Sequence, residues 1–240
     1  MKQASVVLTP VQGKKLIAKA VAALPEVEEA LENGILVIVA GTTNRYVAEE
    51  ILKKTGEEVS LEGFFRGVTV PRGVKAAGAD PVFDVVIRKG KWSKGQTIFD
   101  AAPDLKPGDL IFKGANAVDL EAKEAAVLVG SSTMGTSQPI LEAAYGRRVG
   151  VILPVGVEKR VELPVAVLAD LARDPETSGP RLLPLPGEVF TEIDAMETLY
   201  GLEAEILAAG GVMGAEGAVY FLVNGEEEDV DLFLKEAAAL

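Results

Sequence analysis

Short runs of apolar residues alternate along the chain with stretches that have the periodicity of helices. The clearest runs cover residues 35–40, 84–87, 109–112, 125–130 and 149–153. Unbroken runs of this kind are typical of strands that are buried on both faces. Helical patterns precede the first run, at residues 11–24 and 25–33, and separate later runs, at residues 47–56 and 139–145. We therefore predict an α/β fold with a mainly parallel open sheet and helices on both faces.

The residue composition of the chain changes at about residue 180. Residues 180–190 carry several prolines and a glycine, and they read as a linker that runs into a strand. Beyond them, the patterns predict helices at 202–209 and 229–239 and a strand at 218–223. We therefore expect an α/β ligand-binding domain over 1–180 and a small C-terminal α+β subdomain over 181–240 that packs on it.

The 240 residues include no cysteine and no histidine, which excludes several kinds of site. Disulfides, cysteine nucleophiles, zinc-thiolate sites and triads with a histidine base are all ruled out. Proton transfer must therefore use Asp, Glu, Lys, Tyr or a held water. A metal would have to be a hard ion bound by oxygen. We predict no metal site, and the sequence identifies no cofactor.

The chain is acidic, with 24 Lys and Arg against 36 Asp and Glu and a net charge of −12. Such a charge repels nucleic acids and anionic lipids, so we expect neither as a partner. The apolar runs are also far shorter than the ~18 residues of a membrane helix. The first residues lack the apolar stretch of a signal peptide, so we expect a cytoplasmic protein. A homo-oligomer stays possible.

Three loops follow predicted strands directly, and ligands of open α/β sheets bind outside the carboxyl ends of the strands. The first loop is Gly41, Thr42, Thr43 and Asn44, ahead of a helix. Glycine lets the backbone approach a ligand, and the hydroxyls and free helix N–H groups can bind an anion. The alternative is an ordinary helix cap, since Thr and Asn are common there.

The second loop covers residues 113–119. Lys113 can hold a phosphate or carboxylate or polarise a carbonyl oxygen, and Gly114 lets the backbone come close. Asn116 can orient a hydroxyl, and Asp119 is the first candidate for a proton acceptor. The alternative is a turn stabilised by the Asn and Asp side chains.

The third loop has two glycines among five hydroxyl residues, a composition suited to cradling an anion. The candidate ligand-binding residues are Gly130, Ser131, Ser132, Thr133, Gly135, Thr136 and Ser137. It is not a P-loop, because no Gly-Lys-Ser/Thr closes it. The alternative is a flexible surface connection. The chain also lacks the Gly-x-Gly of dinucleotide-binding folds and the Gly-x-Ser-x-Gly of hydrolases.

Two further features have open assignments. Glu158, Lys159 and Arg160 follow the strand at 149–153 and either form an exposed turn or reach the same crevice. If Asp119 is not the proton acceptor, Glu158 is the next candidate. Trp92 is a lone aromatic among polar residues, which suits a lid or an interface anchor.

The order of these segments resembles the superfamily of ribose-5-phosphate isomerase, glucosamine-6-phosphate deaminase and the CoA transferases. The similarity covers roughly residues 32–160 and is carried by NGILVIVAGTTNRYVAEEIL, DLIFKGANAVD and VGSSTMGTSQPILEAAYGRRVGVILP. It implies a threonine-rich phosphate loop and a polar ligand crevice. The isomerase acids are replaced at Asn116 and Ala117, leaving Asp119. No carboxylate stands where the isomerases have their base.

The resemblance and the residues together support three hypotheses. The first is an enzyme of this superfamily that acts on a phosphorylated, carboxylated or CoA-linked small molecule. The second is a non-catalytic ligand-binding or regulatory protein that kept the crevice and lost the acids. The third is an assembly or scaffold protein whose surface is the functional part. In the first two cases the partner is an anionic small molecule.

Overall fold

The computed structural model describes residues 1–67, 69–70 and 83–240. The helices in these ranges are α1 (Pro10–Ala22), α2 (Pro25–Asn33), α3 (Thr42–Lys54), α4 (Ile98–Ala101), α5 (Ser137–Leu141), α6 (Val165–Arg173), α7 (Glu192–Tyr200) and α8 (Glu227–Ala237). The strands are β1 (Lys2–Leu8), β2 (Ile35–Ile38), β3 (Val85–Arg88), β4 (Lys91–Trp92), β5 (Leu110–Phe112), β6 (Ala117–Asp119), β7 (Glu124–Val129), β8 (Gly150–Pro154), β9 (Arg181–Leu185), β10 (Glu188–Phe190), β11 (Glu203–Ala209) and β12 (Val219–Gly225). Short 3₁₀ turns at Ala102–Asp104 and Val157–Lys159 and a π turn at Glu142–Gly146 lie between them.

The main sheet has six strands in the order β10-β8-β5-β2-β3-β4. The pairs β10/β8, β8/β5 and β5/β2 are parallel, whereas β2/β3 and β3/β4 are antiparallel. The α/β class is therefore confirmed. This sheet is mixed, and the other two sheets are antiparallel, so a mainly parallel sheet is not confirmed. The four parallel strands, β10, β8, β5 and β2, have their carboxyl ends at the same edge of the sheet.

Both faces of the main sheet are buried, as the apolar runs predict. On β2, Leu36 and Ile38 join a core built with residues of α1, α2, α3 and α7. Val37 and Val39 point to the opposite face and join a second core with residues of α4 and α5. A three-stranded antiparallel sheet, β6-β7-β9, shares that second face.

The prediction that residues 125–130 form a strand of the main sheet is wrong. These residues belong to β7, which pairs antiparallel with β6 and β9 in the small sheet. A turn at residues 120–123 reverses the chain directly after β6. A parallel neighbour would instead need a crossover of about a dozen residues or more, which this turn does not provide.

The predicted helix at 202–209 is also wrong, because these residues form β11. Gly201 takes the left-handed conformation at φ 65° and ends α7. After it, Glu203 and Glu205 alternate with Ala204 and Ile206, which is the period of a strand. The strand pairs antiparallel with β12.

The other partner of β12 is β1, a strand that the sequence analysis did not assign. It forms a seven-residue antiparallel ladder, from Lys2 opposite Gly225 to Leu8 opposite Val219. The sheet β1-β12-β11 therefore joins the two ends of the chain, while β10 belongs to the main sheet. Strands on either side of residue 180 therefore pair with each other, β1 with β12 and β8 with β10. The division into 1–180 and 181–240 stays a prediction.

Asn44 connects the carboxyl ends of β2 and β5. It is buried in the first turn of α3, where its Nδ2 donates to the carbonyl oxygens of Val39 at 2.8 Å and Phe112 at 3.0 Å. The amide N–H of Val39 also donates to Phe112 at 3.0 Å. The loops that follow the two strands are therefore held side by side.

We expect Asn44→Ala to lower the free energy of unfolding by about 2 kcal/mol, because two buried hydrogen bonds are lost. Thr42→Ala, in the same helical turn but exposed, should change it by less than about 0.5 kcal/mol. Urea denaturation of the three proteins gives the comparison. Equal losses in the two variants would contradict the role of Asn44.

Candidate functional site

A cavity of about 570 Å³ lies at the edge of the main sheet where β2 and β5 end. Residues of all three sequence-predicted loops line it, namely Gly41, Thr42, Thr43, Lys113, Gly114, Asn116, Gly130, Ser131, Gly135, Thr136 and Ser137. The first two loops meet because β2 and β5 are parallel neighbours. The third arrives from β7 in the small sheet that covers one face, so it reaches the cavity by a route that the sequence did not predict.

Four of the predicted site residues are not among the residues that line this cavity. Asn44 binds the strand ends as described above. Ser132 and Thr133 lie in the third loop, and Thr133 is bonded within it, since its Oγ1 is 3.0 Å from Ser131 Oγ. Asp119 Oδ1 accepts the backbone N–H groups of Glu121 and Ala122, each at 3.0 Å. The carboxylate therefore stabilises the turn between β6 and β7.

The N-terminus of α3 opens towards the cavity. Its N-cap is Gly41, and among the described residues no side chain caps the free N–H groups of the first turn. By contrast, Thr9 and Thr191 cap α1 and α7 with their hydroxyls. Thr43 is 2 % exposed and lines the cavity, and its hydroxyl has no hydrogen-bond partner among the described residues. Free amides, an unused hydroxyl and the helix dipole together favour an anion.

Lys113 enters the cavity directly after β5. Its Nζ donates to Oγ1 of Thr136, 3.2 Å away in the third loop. Burial lowers the pKa of Lys113 to about 8, while Asp84 opposes and Arg66 reinforces this shift. The amine is therefore much closer to neutrality than an exposed lysine at physiological pH.

Arg66 also lines the cavity, and it forms an ion pair with Asp84. The side chain of Asp84 is 0 % exposed. Its Oδ1 accepts the N–H of Ala40 at 2.9 Å, and its Oδ2 accepts the N–H of Ile98 at 2.7 Å. The sequence analysis did not identify this pair, because no local pattern reveals that residues 18 positions apart meet here.

Lys159 is the member of the Glu158–Lys159–Arg160 group that reaches the cavity. Its Nζ donates to the carbonyl oxygen of Ala115 at 2.8 Å. Burial lowers the pKa of Lys159, and the Glu158 carboxylate partly offsets the effect. Arg160 instead donates to the carbonyl of Val157 at 3.3 Å.

Glu192 lies buried at the start of α7, beside this group. Its Oε2 accepts the N–H of Val157 at 2.9 Å. A Cβ on Gly13 of α1 would come within 2.3 Å of its Oε1, so a larger residue there would displace the carboxylate. Burial and, second, the Glu158 carboxylate raise the pKa of Glu192 to about 7. The sequence analysis did not identify Glu192 as a buried acid, since an acid in a first helical turn is usually exposed.

Trp92 lines a different cavity from the three loops. It lines a smaller one of about 220 Å³ with Phe64 and Phe83, and Lys94 Nζ sits 4.6 Å from the centre of its ring. Trp92 is therefore not among the residues that line the cavity of the three loops.

The cavity at the ends of β2 and β5 combines positive charge with hydrogen-bond donors. Its charged lining residues in the described part of the chain are Arg66, Lys113 and Lys159, and none is Asp or Glu. Hydroxyls of two loops and the amides of α3 add neutral donors. The arrangement is suited to an anion and offers no carboxylate base from the described lining residues.

Comparison with family models, curated proteins and solved structures finds no match. The superfamily resemblance therefore stays a prediction. Within the described ranges, no three or more acidic side chains are arranged to hold a metal ion. No helix of the described residues is long and apolar enough to cross a membrane.

The raised pKa of Glu192 predicts a pH dependence of stability. Because the folded protein holds this proton more tightly than the unfolded chain, the stabilisation is complete below pH 4.5 and is lost as the pH rises through about 7. We expect wild-type protein to lose about 3 kcal/mol relative to Glu192→Gln between these limits. Urea denaturation from pH 4.5 to 8 measures it.

Glu197→Gln, an exposed change on the same helix, is the control and should follow the wild type. If the stabilities of wild type and Glu192→Gln run parallel across this range, Glu192 does not titrate as the structure implies.

Proposed function

We propose that the chain binds a small anionic metabolite, phosphorylated or carboxylated, in the cavity at the ends of β2 and β5. The observation that carries the proposal is Thr43, a buried hydroxyl without a described partner at the open N-terminus of α3. Leaving such a hydroxyl unsatisfied costs free energy, which a bound oxyanion would recover. Helix N-termini with free N–H groups bind phosphates and carboxylates in the same way.

The charge distribution supports an anion in this place. The protein carries a net charge of −12, yet the charged side chains of the described cavity lining are all cations. A positive cavity on an acidic molecule attracts small anions, while the remaining surface repels polyanions. A volume of about 570 Å³ falls within the range of small-molecule sites.

We further propose that the metabolite is a substrate, as the resemblance to the phosphosugar isomerase and CoA transferase superfamily implies. In this proposal, the α3 N-terminus and the third loop hold the anionic group, and Lys113 faces the reacting part. Asp119 has no part in it, because its carboxylate accepts two backbone N–H groups in the β6–β7 turn. A CoA thioester is a third ligand class to test.

A non-catalytic ligand-binding protein is the second candidate. It is favoured by the lack of a carboxylate among the described lining residues, since proton transfer in a protein without histidine needs another base. The two candidates share the ligand site and differ in turnover. A thermal-shift screen with sugar phosphates, 2-oxo acids and CoA esters tests binding first, because a ligand at 100 times its Kd stabilises by about 2.7 kcal/mol.

Thr43→Val tests the anion site with an isosteric change. We expect it to raise the Kd of inorganic phosphate and of ribose 5-phosphate by about tenfold, because a hydrogen bond to a charged group is lost. Stability without ligand should not fall, since the hydroxyl has no described partner in the folded chain. Calorimetric titration and urea denaturation provide the two measurements.

Thr198→Val is the matched control, because that hydroxyl is exposed on α7 and donates to the carbonyl oxygen of Asp194. It should leave phosphate binding unchanged. Wild-type affinity in Thr43→Val, or no phosphate binding by the wild type, would contradict the proposed site.

A further inference from the structure

Most lysines whose side-chain contacts are described pair with an acid or bind a main-chain carbonyl, as Lys159 does with Ala115, whereas Lys113 does neither. Lys2, Lys53, Lys54, Lys94 and Lys123 pair with surface carboxylates. Lys113 instead ends in the cavity, and its Nζ donates to a neutral hydroxyl, that of Thr136. In the described part of the chain no carboxylate pairs with this amine. The position is that of a group exposed to a ligand and not that of a structural ion pair.

The acid whose charge acts on Lys113 is Asp84, and it is already engaged. Both carboxylate oxygens of Asp84 accept backbone N–H groups, from Ala40 and Ile98, and Arg66 forms an ion pair with the same carboxylate. Asp84 therefore holds Arg66 in the cavity wall, so that a second cation lies near Lys113. Burial and this neighbouring cation both favour the neutral amine.

The neutral amine is the nucleophilic form of lysine. With a pKa of about 8, roughly one Lys113 in ten is neutral at pH 7, against roughly three in ten thousand at the ordinary value of 10.5. Lysines that are desolvated or placed beside another cation are activated in this way for attack on carbonyl carbons.

We propose that Lys113 forms an imine with the carbonyl group of an aldehyde or ketone that also carries a phosphate or carboxylate. The inference rests on the proposed anion site and adds the chemical class of its substrate. Asn44 holds the ends of β2 and β5 together, so the α3 N-terminus and Lys113 lie side by side. A metabolite whose anionic group binds α3 therefore presents its carbonyl to Nζ.

The reaction needs no other reagent. The Nζ lone pair forms a bond to the carbonyl carbon, and the carbonyl π electrons move to oxygen, which takes a proton that Nζ gives up. The resulting carbinolamine loses its oxygen as water, with the second Nζ proton, and the C=N bond forms. The Thr136 hydroxyl, 3.2 Å from Nζ, is placed to pass these protons between nitrogen and oxygen.

Reductive trapping tests the proposal. The 240-residue chain is incubated with glyceraldehyde 3-phosphate or pyruvate and sodium cyanoborohydride, which reduces an imine to a stable secondary amine. Intact mass and peptide mapping then locate the adduct. We expect labelling of Lys113 to exceed that of any other lysine by about tenfold. Neutral glyceraldehyde should label it less, and added inorganic phosphate should compete.

Two variants complete the design. Lys113→Met should lose the adduct, and Lys53→Arg, a change at a surface ion pair, should keep it. Mapping on the wild type gives the answer even if Lys113→Met does not fold. An adduct on Lys159, labelling spread over exposed lysines, or equal labelling by glyceraldehyde would overturn the inference. Weaker phosphate binding by Thr43→Val without any trapped adduct would overturn the imine and retain the anion site.

Discussion

The buried carboxylate of Asp84 is the interaction on which the cavity depends. It accepts the N–H of Ala40 at the end of β2 and the N–H of Ile98 at the start of α4, and it pairs with Arg66. One side chain thus binds the end of a central strand, the start of a helix on one face of the sheet and a cation in the cavity wall. A buried carboxylate that lost these partners would cost several kcal/mol, so the edge of the sheet is fixed in one arrangement. With Asp84 occupied, Lys113 is left without a described counterion.

The central strands could be predicted from the sequence, and the order of the peripheral strands could not. Runs such as those of β2, β5 and β8 are apolar on both sides because helices or a second sheet cover both faces. The run of β7 has the same composition, but its partner is set by a turn at residues 120–123. In β11 the small residues suit a helix as well as a strand, and pairing with β12 decides between them. The residue pattern within a strand does not identify the strand that pairs with it.

The residues of the candidate site also fall into those that the sequence predicts and those that it does not. Gly41, Thr43 and Lys113 were predictable, because residues that follow parallel strands meet at one edge of the sheet. Arg66 was not identified, because its place depends on an ion pair between separate segments. Asp119 was predicted as the proton acceptor from its motif, whereas its side chain makes the local turn bonds that Asp also favours. Local chemistry allowed both roles for this residue, and the fold supports the second.

The central claim is that an anion binds at the N-terminus of α3, and amide NMR tests it most directly. Inorganic phosphate is titrated into ¹⁵N-labelled protein at constant ionic strength, with chloride as the control anion. The account predicts saturable shifts concentrated at the amides of Gly41, Thr42 and Thr43, with smaller ones in the third loop. Shifts that do not saturate, or that concentrate elsewhere while these amides stay unchanged, would contradict it.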